Sequence, residues 1–170
     1  MASLLIKKGG PVRSIAPDTY EKVLAAAATT LLAAVLVALI KGYPQWGAVP
    51  ALVWAHLLTI LIALVLTPYM LLRPRGTKVH RQLGKVWVTA MTLTAAISLF
   101  VKVINPGHFS LIHLLSIFVI IMAPRVWLTA RAHNVAAHRM TVRGLVTGAL
   151  IIAGYFTFGF DRMLGHWLFG

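Results

Sequence analysis

The sequence predicts an all-α integral membrane protein with five transmembrane helices. Three observations carry that prediction. Of 170 residues, 59% are hydrophobic and only 11% are charged, whereas a soluble domain is about half apolar and about a quarter charged. The apolar residues fall into five runs, each long enough to cross a hydrocarbon core of about 30 Å. A segment also recurs: His56-Leu57-Leu58-Thr59-Ile60 aligns with His113-Leu114-Leu115-Ser116-Ile117, Pro68 with Pro124, and His80-Arg81 with His138-Arg139 after small gaps. Such a repeat makes helices 2–3 and 4–5 a duplicated hairpin that forms a four-helix core.

Residues 1–20 read as a cytoplasmic tail and 21–170 as the transmembrane domain. Leu4-Leu5-Ile6 is too short for a signal-peptide core. Asp18-Thr19-Tyr20-Glu21 has the form of a capping box. The first apolar run, about residues 23–40, is rich in Ala and Thr and has no histidine, which suits a packing role. Gly42-Tyr43-Pro44-Gln45-Trp46-Gly47 turns the chain. The second run covers about 49–72 and is followed by a basic turn. The third covers about 85–104 and stops at Asn105-Pro106-Gly107. The fourth covers about 111–130. The fifth covers about 142–160, with Asp161-Arg162 at its end. Pro68 and Pro124 are expected to kink their helices. Trp46, Trp54, Trp87 and Trp167 lie near expected helix ends, as an interfacial belt would.

Sixteen Lys and Arg against three acids give a net charge of +13. In a soluble chain this would raise nucleic-acid binding, but here the charges are segregated. Only Lys41, Lys102 and Arg162 fall on the side opposite the tail and the two basic turns. Positive charge stays on the cytoplasmic side during insertion. The expected location is therefore the bacterial inner membrane, with the N-terminus cytoplasmic and the C-terminus periplasmic. The lipid bilayer is the partner, and no nucleic acid is expected. A homo-oligomer is compatible with the sequence.

The chain has no cysteine, and its acids are Asp18, Glu21 and Asp161. Thiolate chemistry, iron–sulfur ligation and di-iron carboxylate sites are thereby excluded. Histidine remains. His56 and His113 sit early in helices that begin outside, and His80 and His138 at the starts of helices that begin inside. The rise from His56 to Arg73 is about 25 Å at 1.5 Å per residue, so the two levels are nearly a membrane apart. A repeat axis along the membrane normal places His56 opposite His113 and His80 opposite His138. Two facing imidazoles suit the axial positions of haem iron, here two haem b groups. Zinc would want three or four ligands. Arg81, Arg139 and Arg162 are candidates for binding the propionates. The alternative is structural: a histidine can hydrogen-bond across helices, and a His-Arg pair can bind lipid phosphate. Gly84, Gly144, Gly148 and Gly154 could admit a flat macrocycle or simply allow close helix packing. His108, His133 and His166 read as solvated or lipid-facing.

Gly76-Thr77-x-x-His80-Arg81-x-Leu83-Gly84-x-x-Trp87, Phe109-Ser110-x-x-His113-Leu114-Leu115-Ser116-Ile117 and His138-Arg139-Met140 resemble a bacterial membrane family, domain of unknown function 2306. Gly154-x-Phe156-Thr157-Phe158 also fits, whereas Gly159-Phe160-Asp161-Arg162 departs from that family's Pro-Gly-Arg. The resemblance runs from about Trp54 onward and implies no activity. The histidine layout is similar to that of cytochrome b561, which implies two haems, ligated by His56 with His113 and His80 with His138. That family's substrate-binding motifs are not matched, so an ascorbate-type donor is not implied.

The expected function is electron transfer by a b-type dihaem transmembrane cytochrome, possessing membrane oxidoreductase character, with a quinol or a partner subunit as donor. The alternative is a non-catalytic accessory or assembly subunit of a larger membrane complex, its histidines structural. A transporter is disfavoured by the shortage of intramembrane carboxylates.

Overall fold

The computed structural model describes residues 16–101, 111–159 and 162–170. All regular structure among them is helical. Helix α1 spans Thr19–Lys41 and opens on the expected capping box. The Glu21 backbone N–H donates to Asp18 Oδ1, and the Asp18 N–H donates to Glu21 Oε2, both at 3.1 Å. A 3-10 segment, Tyr43–Ala48, then turns the chain, and Trp46 Nε1 donates back to the Leu39 carbonyl at 3.1 Å.

Helix α2 spans Ala51–Leu72 and runs through Pro68. It stops at Arg73 because Pro74 follows, and the residue before proline is held out of the helical region. Gly76 supplies the left-handed turn (φ +81°). Thr77 then caps α3, Lys78–Ser98, by accepting the His80 N–H. Helix α4 spans Leu111–Arg131 and contains Pro124. His133 takes a left-handed conformation (φ 54°) and Asn134 caps α5, Val135–Thr157. A π segment, Val146–Ile152, lies within α5. The C-terminal helix α6 spans Met163–Phe169.

Both α3 and α5 begin seven residues before the positions expected from hydropathy. Their first turns are basic and amphipathic, so hydropathy passes over them, whereas the Thr77 and Asn134 caps start them. Among the described residues, four helices are long and apolar enough to cross a membrane: α1, α2, α4 and α5. At 21 residues α3 has the length, about 30 Å at 1.5 Å per residue, but Lys78, His80, Arg81, Gln82 and Lys85 make its first two turns polar.

Each long helix packs on the next in sequence, and α5 returns to α1 through its π segment. The α1 contacts use Ala25, Ala28 and Ala38, all nearly inaccessible, as small residues do where backbones approach closely. Gly154 of α5 sits against Leu31 of α1, where a Cβ would overlap the leucine; this glycine serves packing. Helix α6 packs against α1, with Trp167 over Gly42 and its Nε1 donating to Gln45 Oε1 at 2.9 Å. Trp87 departs from the expected interfacial belt. It is 4% exposed, and its indole N–H donates to Thr67 Oγ1 at 2.9 Å inside the bundle.

Candidate functional site

The end of the bundle that carries the α1 N-terminus and the α2–α3 and α4–α5 turns encloses a cavity of about 760 Å³. Its walls come from α2, α3, α4 and α5, with Glu21 of α1 contributing. Met70, Leu71, Trp87, Val88, Val126 and Val142 make most of it apolar, and Gly84 lines it on α3. His80 and His138 both face it, on α3 and α5.

The two rings stand 6.3 Å apart between centroids, with their planes at 73°. His138 Nδ1 lies 3.0 Å from the Val126 carbonyl. A carbonyl can only accept, so Nδ1 carries the proton and Nε2 is left with a lone pair. That arrangement is the usual support of a metal-ligating histidine. His80 Nδ1 is buried and has no hydrogen-bond partner among the described residues. Two imidazole nitrogens holding one metal at about 2.0–2.1 Å each would put ring centroids roughly 6–6.5 Å apart. The observed centroid separation is of that size, and the cavity has the size of a typical cofactor pocket. Among the described residues no three His, Cys, Asp or Glu gather to hold a metal, so a closed zinc-type site is not built there.

No protein family, curated protein or solved structure matches this chain.

At the other end of the bundle, His56 is half-buried on α2 with Nδ1 3.3 Å from the Thr94 carbonyl. Thr94 Oγ1 donates to Thr59 Oγ1 at 2.8 Å. His113 is 4% exposed on α4, one turn from Ser116, whose hydroxyl meets that of Ser98 at 2.6 Å. Both α2 and α4 pack on α3, so the backbones carrying these two histidines flank it. His108 lies outside the described residues. His133 is exposed, in keeping with its reading as solvated or lipid-facing, and also lines the inner cavity. His166 is exposed on α6.

The three arginines separate. Arg81 is exposed and lines the cavity, together with Lys85 and Arg131. Arg139 also lines it but is engaged by acids, as described next. Arg162 lies at the opposite end, beside a separate small cavity with Phe158, Gly165 and His166. It is too distant from the His80–His138 cavity to serve a group bound there. Burial lowers its pKa, because a desolvated guanidinium loses hydration.

A cluster behind the cavity was not read from the sequence. Glu21 is 1% exposed. It accepts from Arg139 Nε and Nη2 at 3.1 Å each, from Arg143 Nη2 at 3.1 Å, and pairs with Arg75. Asp18 accepts from Arg139 Nη2 at 2.9 Å and pairs with Arg143. The Glu21 backbone N–H above all holds the Asp18 carboxyl below its usual range; burial opposes it, and Arg143 and Arg139 add to the lowering. The sequence did carry a signal: two of three acids in a chain of sixteen cations stand three residues apart. Buried carboxylates that scarce are expected to be paired.

Proposed function

We propose that this chain is a five-span b-type cytochrome of the bacterial inner membrane, with its N-terminus in the cytoplasm, that moves electrons between two bis-histidine haems. The observation that carries the reading is the His80–His138 pair, its rings 6.3 Å apart at an apolar cavity of about 760 Å³. His80 and His138 would be the ligands of the inner group, and His56 and His113 those of the outer one. Haem, when bound, supplies a one-electron centre.

The protein's own residues have definite tasks in this reading. The Val126 carbonyl fixes the His138 tautomer and leaves Nε2 with its lone pair. The apolar walls exclude water. Arg81, Lys85 and Arg131 at the lining would bind the acidic groups of a ligand. Arg139 is a weaker candidate for that task because Asp18 and Glu21 occupy it. Arg162 could act only at the other end. A quinol or a partner subunit would supply the electrons.

The second reading is an accessory subunit of a larger membrane complex. It is favoured by the short connections: three residues separate α4 from α5 and five separate α2 from α3. An absorption spectrum of the full chain, purified from haem-replete cells, separates the two. A Soret band with sharp reduced bands, diminished in His138→Ala and in His113→Ala, is the result expected. A colourless protein that co-purifies with a fixed partner would overturn the cytochrome reading.

A further inference from the structure

The charge cluster contains three guanidinium groups, Arg75, Arg139 and Arg143, and two carboxylates, Asp18 and Glu21. Arginine is always protonated in proteins, so with both carboxylates ionised the five groups sum to one positive charge in excess. The cluster adjoins the histidine pair. Glu21, Arg75 and Arg139 line the same cavity as His80 and His138, and Arg139 follows His138 directly in the chain. Screening is weak there: the Glu21 side chain is 2% exposed, that of Arg75 10% and that of Arg139 18%. Charges so placed act over several ångströms far more strongly than surface charges do.

Such a cluster is larger than packing α1 onto α5 requires. One Arg–Glu pair would serve that purpose, and additional buried charges cost desolvation. Three cations converging on one carboxylate beside a cavity leave a fixed positive field in it. Arg81, Lys85 and Arg131 at the lining add to the same sign. His56, toward the other end of the bundle, is furnished differently, with the Thr94 backbone carbonyl 3.3 Å from its Nδ1.

We infer that the Asp18–Glu21–Arg75–Arg139–Arg143 cluster is an electrostatic bias on the His80–His138 site that favours the reduced form of a one-electron group held there. The inference rests on the cytochrome reading and deepens it. Reduction adds one electron, taken from the external reductant, with no bond made or broken. The added negative charge is stabilised by the cluster's excess positive charge. Asp18, Glu21 and Arg143 touch neither ligand ring in this account; they tune the site from behind.

The test is a spectroscopic redox titration of the purified full-length protein and its variants, reduced stepwise with dithionite in the presence of mediators. The inner-site wave is identified as the one lost in His138→Ala. Glu21→Gln takes the cluster from +1 to +2 and should shift that wave toward the reduced form. Arg143→Gln takes it to zero and should shift the wave the opposite way. Each shift is expected to be about tenfold in the reduced-to-oxidised ratio, equivalent to 59 mV for one electron. Asp18→Asn, at the exposed edge, repeats the Glu21→Gln sign if that variant does not fold. Opposite-signed shifts are the signature, because loosened packing would move both variants the same way. Pigmented variants whose inner wave stays put, or moves in one direction in all of them, overturn the inference and leave the cytochrome reading standing. A colourless wild-type protein overturns both.

Discussion

Glu21 on the first turn of α1 and Arg139 on α5 meet in a two-bond fork, Nε to Oε1 and Nη2 to Oε2, each at 3.1 Å. The fork joins the first and fifth long helices at the end of the bundle where His138 sits. Arg75 and Arg143 converge on the same carboxylate, so one buried side chain ties the α2–α3 turn to both helices.

Removal of that carboxylate should therefore be costly. Glu21→Ala leaves three arginines without their shared acid, and breaking a buried pair costs about 3–5 kcal/mol. Glu21→Gln keeps the shape and some hydrogen bonds and should cost less. Thermal unfolding in detergent, followed by circular dichroism, measures both. Equal melting of Glu21→Ala and the wild type would show that the cluster contributes nothing to stability.

Asp18 sets an acid limit. Its folded pKa lies below the ordinary value of 3.8. A depressed carboxylate contributes stability that is complete above its unfolded pKa and is lost as pH falls through its folded one. The melting temperature should thus change little on account of Asp18 above about pH 4 and fall below it. In Asp18→Asn that part of the acid-side fall should vanish. An unchanged acid limb in the variant would assign the sensitivity to another group.

The inner pair should act as a unit. His80→Ala and His138→Ala are each expected to remove the same pigment fraction, because either loss opens the two-ligand site. His133→Ala, at the cavity lining but exposed, should retain it. If His133→Ala instead abolished the spectrum while His80→Ala kept it, the ligand assignment would be wrong.

Trp87 tests the interior polar seam. Trp87→Phe loses the hydrogen bond to Thr67, whose hydroxyl still donates to the Ala63 carbonyl at 2.7 Å. The expected cost is about 1 kcal/mol. Trp87→Ala also empties part of the core and should cost about 3–5 kcal/mol. A Trp87 at a lipid interface would tolerate both, so the size of the second loss discriminates.

Gly165 governs the docking of α6. A Cβ there would overlap the Phe158 carbonyl, which is backbone and cannot swing aside. Gly165→Ala should loosen α6 from α1 and expose the C-terminal segment to limited proteolysis, with the long helices intact. Wild-type resistance in the variant would show that the backbone adjusts.

Much of this layout was legible because it follows from local chemistry. Asp18 and Glu21 announced their capping box by spacing and side-chain type. The repeat around His80-Arg81 and His138-Arg139 anticipated that those two rings would lie near each other. The starts of α3 and α5 were not legible from apolarity, because basic first turns resemble loops until Thr77 and Asn134 are recognised as caps. The charge cluster was hidden for a different reason. Arg75, Arg139 and Arg143 already had a sufficient explanation as orientation signals, and nothing local ties them to residues more than fifty positions away. Trp87 reads as interfacial only when α3 is taken to begin near Lys85; with the start at Lys78 it lies in mid-helix.

The Glu21–Arg139 fork spans 118 positions of sequence. During synthesis the acid emerges early, Arg75 follows with the α2–α3 turn, and Arg139 and Arg143 arrive only with the last long helix. Until then Glu21 has only Arg75 of its three guanidinium partners, so the fork doubles as a completion mark. A chain halted before residue 139 lacks both bonds of the fork, so the last long helix is what closes the cluster.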